Sequence, residues 1–485
     1  MLSSADSARA VLMIKDLPDY LAYLEKRNRL LKVQGKVSAD LEITAFTDRA
    51  NREKRYESKS MLFTSVDGYD IPVVTNLFGS TSTLRELFQG SYATEILGNM
   101  HAFRSQRQSP SLLKGAKMLM SAKPKAVSSQ LGKYQRLKSL GDLPILKVWP
   151  NDAGRFITLP LVITESPRDG TVNVGIYRMQ VFDNTLTGMH WQSQKGGAIH
   201  ASEAKELGKT LNVAVVVGTD PYNIVSAVTP LPTGINEFSF SGIIRGSSTV
   251  LMKNGKYPNV PANAEIVING WVDPSETRME GPFGDHTGYY SIPEKYPVFH
   301  IDAIYAKKKP IYTASVVGFP WHEDAVIGQF LFDFLKPMLR SMNESITDIY
   351  LPPEGIFTNM CFVSIKKRFP GEAKKVMFSV LGMGQLSFTK IIAVFDDDIN
   401  IRDLSQVTWA LATRIDPQRD VQIIHDATAD SLDHTTDTPA FGSKMLIDAT
   451  KKTREEGYGR EWPATIGLPR DLVKEVEKKW ESLRK

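Results

Sequence analysis

The middle of the chain constrains its fold more than any other part. From about residue 145 to 310, short β-rich runs follow one another closely, at 157–164, 171–182, 213–217, 239–244, 265–272 and 298–305. Gly, Pro, Asn and Asp punctuate them. Strands spaced this tightly must pair largely with each other, and a barrel or a sandwich is the compact way to do so. One helical run, 203–211, interrupts the series.

The flanks have a different texture. Leu17, Tyr20, Leu21, Tyr23 and Leu24 predict an amphipathic helix over 16–31, and 41–54 repeats the pattern. Strand-like runs at 60–66 and 71–77 are separated by Asp67-Gly68-Tyr69-Asp70, which suits a hairpin or short loop. After 320, helices are expected at 326–336 (stopped by Pro337), 372–380 and 404–414. Strands are expected at 346–351, 360–366 and 389–395. The tail, 469–485, carries Val473, Val476 and Trp480 at helical spacing, so it should pack on its own domain or on a neighbouring subunit. The division that follows is an N-terminal α/β domain (1–105), a basic connector with helical pieces (106–144), a β-rich domain (145–310), a C-terminal α/β domain (320–460) and a helical tail (461–485). The fold class is mixed α/β.

The 485 residues carry a net charge of +5, but it is not evenly spread. Residues 101–140 hold nine Lys and Arg and no acid, so the remainder sums to −4. That run has only Phe103 and Tyr134 as aromatics and resembles no nucleic-acid reader, which argues against DNA or RNA as partner. An apolar content of 42% excludes a mainly disordered chain. The single cysteine, Cys361, makes no intrachain disulfide and no Cys-rich zinc site. Its apolar surroundings read as a buried structural thiol in a reducing cytosol. Residues 1–13 lack the features of a secretory signal, and no run approaches the roughly 18 apolar residues that span a bilayer.

Three places carry chemistry. Asn173 and Arg178 sit five residues apart on a strand-like run, so they share a site only past a bulge or a strand end. His190 to Gly197 follows, where Gly196-Gly197 permits close backbone approach and Lys195 suits a phosphate. The second place is the loop 276–290, where Glu276, Glu280, Asp285, Arg278 and His286 crowd together. Adjacent carboxyls push one another's pKa apart, which suits proton transfer. The third is Lys390, at the mouth of a buried strand that ends in Asp396-Asp397-Asp398. Three consecutive acids cannot all face one point on a strand, so the triplet reads as structural. Taken singly, each place also has a plainer reading: a hairpin with a surface lysine, a solvated turn, a snorkelling lysine.

Together they resemble the UbiD family of decarboxylases. The resemblance covers nearly the whole chain. It runs through Asn173-Val-Gly-Ile-Tyr-Arg178, Trp191-Gln-Ser-Gln-Lys-Gly-Gly197, Glu280-Gly-Pro-Phe-Gly-Asp-His-Thr-Gly-Tyr-Tyr290 and Leu351-Pro-Pro-Glu-Gly355. Phe395-Asp-Asp-Asp398, Arg414-Ile-Asp-Pro417 and Gly442-Ser-Lys-Met445 continue it. It is nearest to the respiratory-quinone branch, the 3-polyprenyl-4-hydroxybenzoate carboxy-lyases. The resemblance implies a central split β-barrel that holds prenylated FMN, with a divalent metal (usually manganese) and often potassium. Asn173 and Glu237 would ligate the metal. Gln194 stands where many members have a metal-binding His, and its carbonyl oxygen suits manganese or magnesium over softer ions. Ile176, Tyr177, Arg178, His190, Trp191, Gln192, Lys195 and Gly196 would line the cofactor, and Lys390 would contact its phosphate. Arg178, Glu280 and Asp285 would form the catalytic set, with Asp285 the preferred proton donor over Glu280. The implied partners are an aromatic acid, polyprenylated in this branch, a flavin prenyltransferase that supplies the cofactor, and further copies of the chain as a dimer or hexamer. The implied location is the cytoplasm, with the basic segment 101–140 touching the inner membrane face. The alternatives are a decarboxylase of a menaquinone-pathway intermediate or of another aromatic or hydroxybenzoic acid, and a flavin-binding protein without that activity.

Overall fold

The structure is a computed structural model that describes residues 14–54, 57–89, 91, 118–192, 195–231, 235–319 and 322–483. At the N-terminus, helix Leu17–Lys26 is capped by Asp16, whose side chain accepts the Asp19 N–H at 2.9 Å. It ends earlier than its apolar pattern suggests. Asn28 turns into the left-handed region, and Leu30 opens the strand Leu30–Val37. This strand pairs in parallel with Ser60–Val66, followed in the sheet by Val73–Thr75 and then Tyr312–Ala314. The last strand arrives from beyond the β-rich region and ties it to the N-terminal unit.

The central sheet runs in the order Leu186–Gly188, Glu294–Ala306, Ile266–Glu280, Leu211–Val217, Pro160–Glu165, Val172–Ile176, with Gln135–Leu137 also pairing Glu294–Ala306. All its pairings are antiparallel. Leu211–Val217 is the strand of Val213 to Val217, all wholly buried, as its unbroken apolar run requires. Among the described residues the sheet does not close into a barrel. The described part of the basic connector is woven in. Residues 118–122 are helical and short 3-10 turns follow at Leu131–Lys133 and Leu140–Asp142, but Lys125–Val127 pairs with Val250–Asn254 and Gln135–Leu137 joins the main sheet.

Two expectations in this region are corrected. The run 239–244 is not a strand but lies in the helix Glu237–Arg245. Its Phe-Ser-Phe-Ser alternation mimics a strand. However, Asn236 caps the Phe238 N–H at 2.8 Å, and Gly246 ends the helix in the left-handed region. Gly242 also leaves no room for a Cβ beside the Ser121 carbonyl. The helix expected at 203–211 begins earlier, as Gly196–Glu206, and Leu211 opens a strand instead. A further helix, Pro221–Val228, was not read from the sequence. Asp220 caps it.

The C-terminal region holds a five-stranded sheet in the order Ile346–Tyr350, Met360–Ile365, Ile391–Asp396, Phe441–Ala449, Val421–Thr428. Helix Glu323–Met342 runs through Pro337 rather than stopping there. Packing on both sides holds it. Phe330 and Phe334 pack edge-on against Phe88 at 4.8 and 5.0 Å between ring centroids, and beyond the proline Leu339 enters the C-terminal core. These contacts outweigh the hydrogen bond that the proline removes. Cys361 is buried, as expected, and burial pushes its thiol up to about 12. Helix Arg470–Leu483 leaves Leu472, Val473, Val476, Trp480 and Leu483 exposed, so it does not pack on its own domain.

Candidate active site

Strand Val172–Ile176 ends before Tyr177 and Arg178, which frees Arg178 from strand alternation. Asn173 and Arg178 therefore line one cavity, of about 740 Å³. The Arg178 side chain is one-tenth exposed and lies among acids. Its Nε donates to Glu280 at 2.9 Å, Nη1 pairs with Asp285, and Nη2 donates to the Ser291 hydroxyl at 3.2 Å. The guanidinium also covers the Phe283 ring at 4.8 Å. Glu280 ends the long strand Ile266–Glu280, and the loop after it carries Asp285 back over the cavity. Asp152 pins that loop by accepting the Gly284 N–H at 2.8 Å. Trp149 packs where a Cβ on Gly284 would sit.

The two acids face different partners. Glu280 accepts from His190 Nδ1 at 2.8 Å, and Asp285 accepts from His286 Nδ1 at 2.8 Å and from the His286 backbone N–H at 2.7 Å. Burial pushes both carboxyls up. The adjacent imidazole and the Arg178 cation outweigh it and hold both below their usual range. For His286 the balance has the opposite sign. Burial lowers it, yet the bond and charge of Asp285 raise it to about 9.

The cavity also gathers Ile176, Tyr177, His190, Gln192, Lys195, Gly196, Glu237 and Asp285. Glu280 and Trp191 are buried behind its wall rather than on it. His190, which does line the cavity, has a buried Nε2 left without a partner, and a polar ligand would satisfy it. Lys195 and Gly196 stand at the N-terminus of helix Gly196–Glu206, a natural phosphate seat. Burial pulls the Lys195 ammonium below the ordinary lysine range, a penalty that an anion alongside would reverse. These features fit a phosphate-bearing flavin.

The metal fit is narrower. Among the described residues no three His, Cys, Asp or Glu side chains cluster to hold an ion. Glu237 and Asn173 supply one carboxylate and one amide oxygen on the same wall, and burial pushes Glu237 up to about 7. Such a pair fits a hard cation that completes its shell with phosphate and water. Gln194 lies outside the described residues.

The loop following Val421–Thr428 reaches the cavity from the C-terminal region. Leu432 lines it, and Ser431 accepts from Gln192 Nε2 at 2.8 Å. Lys390 does not line it. Its ammonium is held by Asp433 of that loop at 2.8 Å. Asp396 and Asp398 accept from Arg414, in agreement with a structural role for the triplet. The sequence reading missed Ser291, Ser431 and Leu432. Ser291 adjoins the motif that ends at Tyr290 and could have been included. No local signal points to the other two.

Residues 21–100, 121–320 and 326–449 match, in order, the N-terminal, Rift-related and C-terminal domains of 3-octaprenyl-4-hydroxybenzoate carboxy-lyase (UbiD). The chain belongs to the UbiD family of decarboxylases. It is 45% identical to an uncharacterized protein of Archaeoglobus fulgidus, covering 97% of this chain and 98% of that one. It is 42% identical to another from Aquifex aeolicus over the same shares. Among solved structures, the closed form of vanillic acid decarboxylase from Sedimentibacter hydroxybenzoicus is 27% identical. It gives a TM-score of 0.81, with 98% of this chain and 100% of that one covered. The UbiD-class enzyme HmfF from Pelotomaculum thermopropionicum, in complex with FMN, is 27% identical with a TM-score of 0.76, covering 93% and 98%. An evolved dimeric form of HmfF was solved with prFMN. As a UbiD-family member the chain is a carboxy-lyase.

Proposed function

We propose that this carboxy-lyase decarboxylates an aromatic acid non-oxidatively with prenylated FMN in the 740 Å³ cavity. The substrate we assign from the resemblance is 3-polyprenyl-4-hydroxybenzoate, in ubiquinone biosynthesis. The observation that carries the reading is Arg178 held between Glu280 and Asp285 at the cavity wall. Three of its N–H groups are committed to Glu280, Asp285 and Ser291, which leaves donors on its terminal nitrogens for a substrate carboxylate. Prenylated FMN, when bound, supplies the electron sink that loss of carbon dioxide demands. Asp285 delivers the proton to the carbon that carried the carboxylate, and Glu280 fixes Arg178 from behind. Lys195 and Gly196 hold the cofactor phosphate, while Ile176, Tyr177, His190, Trp191 and Gln192 surround the rest. Asn173, Glu237 and Gln194 take manganese or magnesium, and potassium is a further cation in this reading. Lys390 meets the phosphate only when it leaves Asp433, which movement of the 429–440 loop would allow.

A second reading is favoured by one observation. An apolar pocket of about 240 Å³ adjoins the cavity, with Ile176, Val228 and Val317 common to both. A dry cavity of roughly 150 Å³ accommodates benzene, so this pocket suits one substituted ring rather than a polyprenyl chain. On that reading the substrate is an unprenylated aromatic acid.

The test is co-production with a flavin prenyltransferase, followed by an absorbance spectrum and an assay of carbon dioxide release. The acid panel includes prenylated and unprenylated hydroxybenzoates. A colourless, inactive protein overturns the proposal. Membrane contact through 101–140, of which 101–117 lie outside the described residues, is tested by sedimentation with anionic and neutral liposomes. Equal pelleting refutes it. No helix among the described residues is long and apolar enough to cross a membrane.

A further inference from the structure

We propose that His286 is a positioning residue that passes to Asp285 the proton Asp285 delivers. The inference rests on the reading of Asp285 as the donor. Every turnover breaks the carbon–carboxylate bond, leaves its electron pair on carbon, and consumes one proton to form the new C–H bond. Asp285 must therefore be reprotonated each cycle, although it is buried.

Its partners decide where that proton comes from. Oδ2 is paired with Arg178, while Oδ1 accepts from the His286 backbone N–H at 2.7 Å and from His286 Nδ1 at 2.8 Å. A guanidinium does not give up its proton in a protein, and neither does an amide. Of these donors only the imidazole can. The Nδ1–H bond breaks as the O–H bond forms on Asp285, and the neutral imidazole regains a proton from solvent. The net change is one acid anion and one proton converted to product and carbon dioxide.

The surroundings of His286 keep it loaded with a proton between turnovers, and transfer to the low-lying Asp285 carboxyl is drawn forward by protonation of the product carbon. Three carboxyl groups act on it from three elements: Asp285 on its own loop, Asp324 on helix Glu323–Met342, and Asp430 on the C-terminal loop. Together they favour the imidazolium. His286 and Asp324 also border a hollow of about 10 Å³, the space one water needs, which gives the ring a second route for protons. The other imidazole–carboxylate pair, His190 with Glu280, is less suited. Glu280 does not line the cavity, whereas Asp285 does.

The test uses the flavin-loaded enzyme and His286→Asn, whose amide N–H replaces the Nδ1 donor but cannot release a proton. We expect kcat to fall by about 100-fold or more with KM and flavin loading nearly unchanged. In the wild type kcat should decline as pH rises through about 9, because the relay needs the imidazolium, and the variant should lack this limb. His286→Gln, read in the same way, serves if the Asn variant does not fold. A readout free of turnover is nitrogen-15 NMR of the imidazoles in flavin-free protein. The resonance missing from the variant should show both ring nitrogens protonated at pH 8. A neutral ring at that pH, or turnover of the variant within about threefold of wild type, overturns the proposal. If Asp285→Asn is inactive and His286→Asn is active, the relay alone fails. If Asp285→Asn is active, the reading of the site fails first.

Discussion

Replacing Arg178 with Met tests the electrostatic logic of the site without reference to any ligand. The arginine side chain is 10% exposed, and the side chains of Glu280 and Asp285 are 0% and 9% exposed. Methionine keeps most of the volume and the contact with Phe283, and it removes the cation between two buried acids. Breaking a buried ion pair costs about 3–5 kcal/mol. Here His190 and His286 remain beside the two carboxylates, so the lower end applies, about 3 kcal/mol. For a unit of about 200 residues that is a fall in Tm of about 6–12 °C. The pH dependence has a definite sign. In the wild type both carboxyls are held low, so their stabilisation is present above the unfolded carboxyl range and lost only in acid. In the variant one counterweight to burial is gone and both carboxyls rise. A raised carboxyl favours the folded state at low pH and loses that advantage as pH increases. The gap between variant and wild type should therefore be widest near pH 8 and narrower near pH 5.5. Thermal melts at the two pH values decide it. A loss under about 3 °C, or an equal gap at both pH values, refutes the reasoning.

Three further outcomes are expected. Asp285→Asn should load flavin to the wild-type level yet lose decarboxylation by at least about 100-fold, read from absorbance and carbon dioxide release; unchanged turnover removes Asp285 from its role. Glu237→Gln takes away the only carboxylate of the proposed metal set, so manganese bound per chain, measured by elemental analysis, should drop markedly while the fold persists. Deleting residues 466–485 removes an exposed apolar helix face that we assign to a second copy of the chain. Light scattering should then report a smaller assembly, and an unchanged mass would discard that assignment.

Most of the residues that line the candidate site were legible because short contiguous stretches carry them. Asn173 to Arg178, His190 to Gly196 and Glu280 to Asp285 each declare their residue types locally, and the family resemblance joins them. The β-rich middle was equally open, since alternating and unbroken apolar runs report how strands are buried. Other features were beyond reach of pattern alone. Phe238-Ser-Phe-Ser241 alternates like a strand, and only its caps and its burial make it a helix. Pro337 reads as a stop until packing on both sides of it is seen. Ser431 meets Gln192 across 239 residues, and the charges of Asp324 and Asp430 act on His286 from separate elements. By itself the sequence determined which reactive groups are present and the periodicity of the segments that bear them. The tertiary structure alone decided which groups face each other, because the contacts that set burial and charge around Asp285 and His286 are long-range and leave no local periodicity to read.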